Sequence, residues 1–154
     1  MNRANVVFHI ENQIADSDGK VAGRIYEKEV TLTSAEILAL YTTPKTLVAA
    51  PGTKKVIQFI SAVAFLDFNS VAYATAGILT IKYTNGSGTA VSDAVAAAAL
   101  CNQADDCYEE FAKNTVETEL TSNAALVLTC DTANPTAGNS PITIKVIYCI
   151  HDFN

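Results

Sequence analysis

Tryptophan is absent from this 154-residue sequence, methionine occurs once and histidine twice. Any aromatic platform for a sugar must therefore come from Tyr or Phe. The two histidines, His9 and His151, lie near opposite ends of the chain, so a Cys–His pair requires the fold to join the termini. No sequence context marks an activated thiolate or a nucleophile–base pair, and no enzymatic activity is expected. Charge is sparse as well: Asp, Glu, Lys and Arg make up 17% of residues, with a formal net charge of −6. Without a Lys/Arg-rich run there is no footprint for nucleic acid, and the acidic balance disfavours an anionic membrane surface. Long apolar runs are missing too. Gln58, Ser61 and Asp67 interrupt the longest ones, which are too short to cross a bilayer. The opening Met1-Asn2-Arg3-Ala4-Asn5 is not followed by a signal-like apolar segment, so folding in a cytoplasm is expected. No glycine-rich phosphate cradle occurs, and no cofactor is expected.

What the sequence does contain is apolar residues, 49% of the total. The length suits one domain with a substantial core. The chain is organised around the stretch from Lys54 to Tyr83. Residues 56–66 are rich in β-branched and aromatic side chains and free of Gly and Pro, the composition of a strand. One register carries Ile57, Phe59, Val63 and Phe65. The other carries Val56, Ile60, Ala62, Ala64 and Leu66. Both registers are apolar, whereas a half-buried strand alternates. The expectation is a domain core on one side and other protein on the other. The set Val56, Ile60, Ala62, Ala64 and Leu66 is the candidate oligomer interface, although the pattern leaves open which register faces in. Leu79, Ile81 and Tyr83 alternate with Thr80, Lys82 and Thr84, as in a strand with one wet face.

Residues 1–30 carry more charge than the rest. Val6, Phe8 and Ile10 alternate with Val7, His9 and Glu11, and Asp16-Ser17-Asp18-Gly19 is a turn signal before Val21–Val30. This reads either as the first strand pair of the domain or as an arm reaching a neighbour, with Val6, Phe8 and Ile10 as its attachment residues. The boundary between arm and domain is placed after residue 30. Thr33 and Glu36 have capping-box spacing, which predicts a helix of about two turns stopped before Pro44. Short strands are expected at Thr46–Val48, Cys107–Phe111, Thr115–Leu120 and Ala125–Cys130, and a long one at Ile142–Ile150. Loops are expected over residues 67–77, 84–89 and 131–141. Ala94–Leu100 is ambiguous between helix and strand, with strand favoured in an all-β setting. The tally is about eight strands with turn signals every eight to twelve residues, the pattern of an all-β sandwich or barrel.

The four cysteines, Cys101, Cys107, Cys130 and Cys149, read as free thiols behaving as small hydrophobes. Five residues between Cys101 and Cys107 is too wide for the usual zinc pair, so no metal site is expected. Asp105-Asp106 and Glu109-Glu110 read as a solvated acidic face. Asn85-Gly86-Ser87 has the form of a glycosylation sequon but reads as a turn. Phe68 and Tyr73 are the loop aromatics that would suit a glycan.

The run Leu32-Thr33-Ser34-Ala35-Glu36-Ile37-Leu38-Ala39-Leu40-Tyr41-Thr42-Thr43-Pro44-Lys45-Thr46-Leu47-Val48-Ala49-Ala50-Pro51-Gly52, with its continuation through Val56-Ile57 to Asp67-Phe68 and Ala72-Tyr73, resembles a group of small tailed-phage virion proteins. In that group a helix and a TP-x-x-LV-x-APG turn lead into a long strand. The stretch from Ala133 to Tyr148 resembles the group's last loop and strand. The resemblance covers roughly residues 32–150, while the first 30 residues and the Cys101–Cys107 segment depart from the pattern. It implies a single jelly-roll domain with one short helix, assembled as a homotrimer in the host cytoplasm. Its implied place is the virion, as a capsid decoration (auxiliary) protein or head-fibre protein that binds the major capsid protein or a neighbouring virion protein. A tail-fibre or adhesin module binding a host surface glycan is the alternative. The resemblance carries over no catalytic residue.

Overall fold

A computed structural model describes residues 14–15, 21–22, 24–75, 77–116 and 119–154. In chain order its elements are β1 (Ile14–Ala15), β2 (Val21–Ala22), β3 (Ile25–Leu32), α1 (Ser34–Ile37), β4 (Lys45–Val48), β5 (Lys55–Leu66), β6 (Tyr73–Ala74), β7 (Ile78–Tyr83), β8 (Val95–Ala96), a 3-10 turn (Ala97–Ala99), β9 (Cys107–Ala112), β10 (Leu126–Cys130), β11 (Thr136–Ala137) and β12 (Ile142–Asp152). Two four-stranded antiparallel sheets form a β-sandwich. One has the order β3-β12-β5-β9 and the other β4-β10-β7-β8. In chain order β3, β5, β9 and β12 fall in the first sheet and β4, β7, β8 and β10 in the second, so the chain crosses between the sheets at every step among these strands except from β7 to β8.

The core lies between the sheets. β5 and β12 supply Ile57, Phe59, Ala62, Ala64, Leu66, Ile142, Ile144 and Val146, and β7 and β10 answer with Leu79, Ile81, Tyr83, Leu126 and Leu128. Two buried tyrosines tie the layers to backbone. The Tyr83 hydroxyl donates to the Ile57 carbonyl and the Tyr73 hydroxyl to the Ser140 carbonyl. A Cβ on Gly138 would lie 2.1 Å from Tyr73 Cδ1, so only glycine lets the last loop run flat over that ring.

The capping box is present. Thr33 N donates to Glu36 Oε2 at 2.9 Å, Glu36 N donates to the Thr33 hydroxyl, and Lys45 pairs with the same carboxylate. The helix it starts is one turn long rather than two. Asn134 Oδ1 accepts from Tyr41 N at 2.9 Å and Thr42 N at 3.1 Å, which diverts those donors from a helical ladder before Pro44 closes the segment.

Several expectations are revised. The boundary placed after residue 30 falls inside β3, which pairs with β12 from Ile25↔Cys149 to Leu32↔Ile142 and is an edge strand of the sandwich. β1 and β2 pair antiparallel, Ile14 opposite Ala22 and Ala15 opposite Val21, where a hairpin is expected. The attachment residues Val6, Phe8 and Ile10 lie outside the described residues. Ala94–Leu100 is neither one strand nor one helix: Val95 and Ala96 pair with β7, and Ala97–Ala99 then tighten into a 3-10 turn. The strand expected at Thr115–Leu120 is not formed by its described residues. Asn114 Oδ1 accepts from Val116 N at 2.9 Å, a local turn that competes with pairing.

Candidate interaction face

β5 has an irregularity that decides which side chains face outward. Opposite it, β12 runs without interruption, with Ile147 across from Ser61 and Tyr148 across from Phe59. Ile60 is therefore the extra residue of a β-bulge, and Ile60 and Ser61 together fill the place of one outward residue. Past the bulge the parity inverts. Ile57 and Phe59 share the inner face with Ala62, Ala64 and Leu66, all in the core. Of the expected interface set, Ala62, Ala64 and Leu66 thus belong to the interior and cannot line a surface. Val56 and Ile60 are half-buried. The outer face gains Val63 and Phe65 from the other register.

Cross-strand register fixes the remaining neighbours on this face. One row runs Thr31, Thr143, Phe65, Tyr108 and the next Glu29, Lys145, Val63, Glu110. A third runs Glu27, Ile147, Ser61, Ala112, and Ile25 lies opposite Cys149. Thr31 and Thr143 hydroxyls meet at 2.9 Å, Lys145 Nζ lies 3.3 Å from Glu29 Oε2, and Phe65 stacks on Tyr108 with ring centroids 4.7 Å apart. Tyr108 is 71% exposed, Ile25 54% and Val63 46%. An apolar strip of Ile25, Ile147, Ile60, Val63, Phe65 and Tyr108 therefore crosses a sheet face, with Glu27, Glu29 and Glu110 at its margins.

The opposite sheet is different. Its outward Thr80, Val127 and Thr129 are buried, because the chain itself lies over them. The Thr129 hydroxyl donates to the Leu40 carbonyl at 3.5 Å and the Cys130 carbonyl at 3.2 Å, and a Cβ on Gly86 would lie 3.2 Å from it. Among the described residues, no segment of the chain lies over the apolar outer face of the other sheet.

Several thiols and phenols sit in the interior. Burial pushes the Cys101 thiol up to about 12, with Cys130 and Cys107 nearby adding to it. Burial likewise raises Cys107, helped by Glu109 and Asp106. Tyr73 and Tyr83 are both pushed up to about 12, mainly by burial. All four cysteines are free thiols. His151 Nε2 lies 2.8 Å from Gln58 Oε1, and His9 is outside the described residues. Among the described residues no group of three or more His, Cys, Asp or Glu side chains is arranged to hold a metal ion. The acidic patch divides: Glu110 faces out, Glu109 lies on the core-side register beside Ala64, and Asp106 Oδ1 accepts from Phe68 N at 2.8 Å. A cavity of about 300 Å³ is lined by Phe59, Tyr83, Val91 and Leu120 together with the polar Gln58, Lys113, Asn114 and Thr115.

Tyr73 is buried and cannot serve as a glycan platform. Tyr108, Phe153 and Tyr41 are the exposed aromatics among the described residues, and Tyr108 was legible from alternation: Cys107 and Phe111 point inward, so Tyr108 and Glu110 point out. Ile147 follows in the same way from the outward Thr143 and Lys145. The side-chain amides that clamp the loops carried no comparable sequence signal. Asn134 holds residues 41–42, Asn139 Oδ1 accepts from Ser70 N and Val71 N, Asn123 Oδ1 accepts from Gly52 N, and Asn102 brackets Thr75.

No protein-family model and no curated protein matches the chain. Among solved structures, the chain is similar to the capsid asymmetric unit of cyanophage Pam1, with a TM-score of 0.48 and 10% sequence identity over 90% of this chain and 94% of that one.

Proposed function

We propose that the chain is a non-catalytic structural component of a tailed-phage virion, a capsid decoration or head-fibre protein that joins protein to protein through the open sheet face. The observation that carries the reading is the apolar strip of Ile25, Ile60, Val63, Phe65, Tyr108 and Ile147 on one sheet face, which no described segment of the chain covers. An apolar patch of this kind on a small domain is an aggregation hazard unless a partner covers it. The sequence resemblance of residues 32–52 supplies the virion context. In the structure those residues build the capping box, the turn and β4, so their pattern speaks of fold, and the open face speaks of the work done. The expected assembly is a homotrimer that seats on coat subunits, formed in the host cytoplasm.

The test is the protein composition of gradient-purified particles from the phage whose genome carries the gene. The chain should co-purify with heads after tails are sheared away, and light scattering should give three copies for the isolated protein. Recovery only in the soluble, particle-free fraction would overturn the virion reading. The glycan-binding reading keeps one supporting observation, the exposed Tyr108 ring stacked on Phe65. Recovery with tail fibres, together with retention on a host polysaccharide column that Tyr108→Ala abolishes, would favour it. A coat-protein gene as neighbour favours decoration, and a tail-fibre gene favours adhesion.

A further inference from the structure

We propose that Asn85 is a self-modifying residue: in the folded protein its carboxamide converts to a mixture of aspartate and isoaspartate through attack by the Gly86 nitrogen. The loop after β7 supplies what this reaction needs. Asn85 is exposed. Its neighbour is glycine, which has no Cβ to crowd the attacking nitrogen. The Gly86 N–H donates to no described group, while the flanking backbone is anchored by Asn85 N to the Tyr83 carbonyl at 2.7 Å and Gly88 N to the Asn85 carbonyl at 3.0 Å. The Ser87 N–H donates to Asn85 Oδ1 at 2.9 Å. That is the oxygen on which negative charge develops, and a preplaced backbone donor there acts as an oxyanion hole does.

The other asparagines show why the site is singular among the described residues. Asn102, Asn123, Asn134 and Asn139 have their carboxamide oxygens committed to backbone N–H groups of distant segments. Asn134 precedes a proline, which has no N–H to lose. Asn69 is exposed, but the following Ser70 N donates to Asn139 Oδ1 at 3.3 Å. Asn114 has the same turn as Asn85, with Val116 N on its Oδ1 at 2.9 Å, yet its neighbour is the β-branched Thr115, whose N is held by Asp93 Oδ1 at 3.4 Å. Asn114 is therefore a control within the molecule: the same donor, but a hindered and occupied nucleophile.

The chemistry closes with water alone. Hydroxide removes the Gly86 amide proton, and the nitrogen attacks Asn85 Cγ to form a C–N bond. Oδ1 carries the charge while Ser87 N–H holds it. The Cγ–Nδ2 bond then breaks, and the nitrogen takes a proton from water and leaves as ammonia. Water opens the resulting succinimide at either carbonyl, giving aspartate or isoaspartate. Each event makes the chain one unit more negative than its formal −6. The new carboxylate lies in the loop that Lys82 already holds through its Nζ to the Gly86 carbonyl at 2.8 Å.

The experiment holds the purified full chain at mildly alkaline pH and body temperature for weeks, native and in denaturant. It follows acidic species by anion exchange and locates them by fragmenting the tryptic peptide that begins after Lys82. Acidic forms one charge more negative should accumulate, with Asn85 converted to aspartate or isoaspartate and Asn69 and Asn114 intact, at a native rate no slower than in denaturant. Ser87→Pro removes the donor and keeps the Asn85–Gly86 pair. Loss of one oxyanion donor costs enzymes about 10²–10³ in rate, so a native slowing of about tenfold or more is expected, with little change in denaturant. Gly86→Ala should slow both states. No acidic species, conversion at another asparagine, or Ser87→Pro reacting natively at the unmodified rate overturns the proposal. If Ser87→Pro does not fold, a native rate below the denatured rate in the unmodified chain overturns it equally.

Discussion

Val63 and Ala64 are adjacent on β5, and the same substitution should have opposite consequences at the two positions. Ala64 is fully buried, paired with Ile144 on β12 and Glu109 on β9. An aspartate there is an unpaired ion in the interior, worsened by the neighbouring Glu109. The penalty of several kcal/mol per buried ion is comparable with the whole stability of a domain, about 5–15 kcal/mol. Ala64→Asp should therefore leave the chain largely unfolded. Val63 is 46% exposed on the outer face, with Lys145 and Glu110 across from it. Val63→Asp should keep the subunit fold within about 0.5 kcal/mol, as surface changes do. Full burial of a valine is worth about 1.5–3 kcal/mol, so about half of that is at stake when a partner covers the exposed part. Desolvating the new carboxylate under a partner adds several kcal/mol. The sum, at least about 3 kcal/mol, weakens association about 10²-fold or more. Circular dichroism melts and light scattering over a dilution series read the two effects separately. Unfolding by Val63→Asp but not by Ala64→Asp would refute this placement of the two side chains. The assignment of the face fails if the unmodified protein is monomeric at micromolar concentration.

The helix and the thiols supply further outcomes. Thr33→Ala should cost about 1 kcal/mol in reversible unfolding, the usual worth of an N-cap. Lys45 first, and the Thr33 backbone next, hold the Glu36 carboxyl below the ordinary Glu range. Its stabilising effect is therefore complete above the unfolded-state pKa and is lost as pH falls through the depressed native value, so Glu36→Gln should flatten that part of an acid-unfolding profile. With Cys101 pushed up to about 12 by burial, native protein at neutral pH should leave that thiol unlabelled by a thiolate-selective reagent. Denatured protein without reductant should show all four thiols, and two or none would contradict free cysteines.

The sandwich was readable because its long strands alternate. Ile142, Ile144, Val146 and Tyr148 point one way along all of β12, and Leu79, Ile81 and Tyr83 do the same along β7. The capping box was readable because it is local. What failed was parity across the bulge. Reading 56–66 as one unbroken alternation puts Ala62, Ala64 and Leu66 with Val56 and Ile60, and only the continuous partner β12 reveals the extra residue. Helix length failed for a related reason: the group that diverts the Tyr41 and Thr42 amides is Asn134, far away in sequence. The boundary after residue 30 failed because Glu27, Lys28 and Glu29 look like a solvated arm. They are instead the charged edge of a sheet, where such residues discourage pairing with another chain. The open face was foreseen in kind from two apolar registers. Its membership needed the registers of β3, β9 and β12.

The bulge in β5 also bears on which length changes the chain tolerates. Removing either Ile60 or Ser61 would return Ala62, Ala64 and Leu66 to simple alternation with Ile57 and Phe59, so the same side chains would still fill the interior. Removing one residue elsewhere within β5 would instead turn the strand between that site and the bulge or the strand end inside out. The longest strand thus contains one place, the bulge pair, at which a codon can be lost without scrambling the core. The cost would fall on the local twist, and so on the curvature that the outer strip offers to whatever covers it.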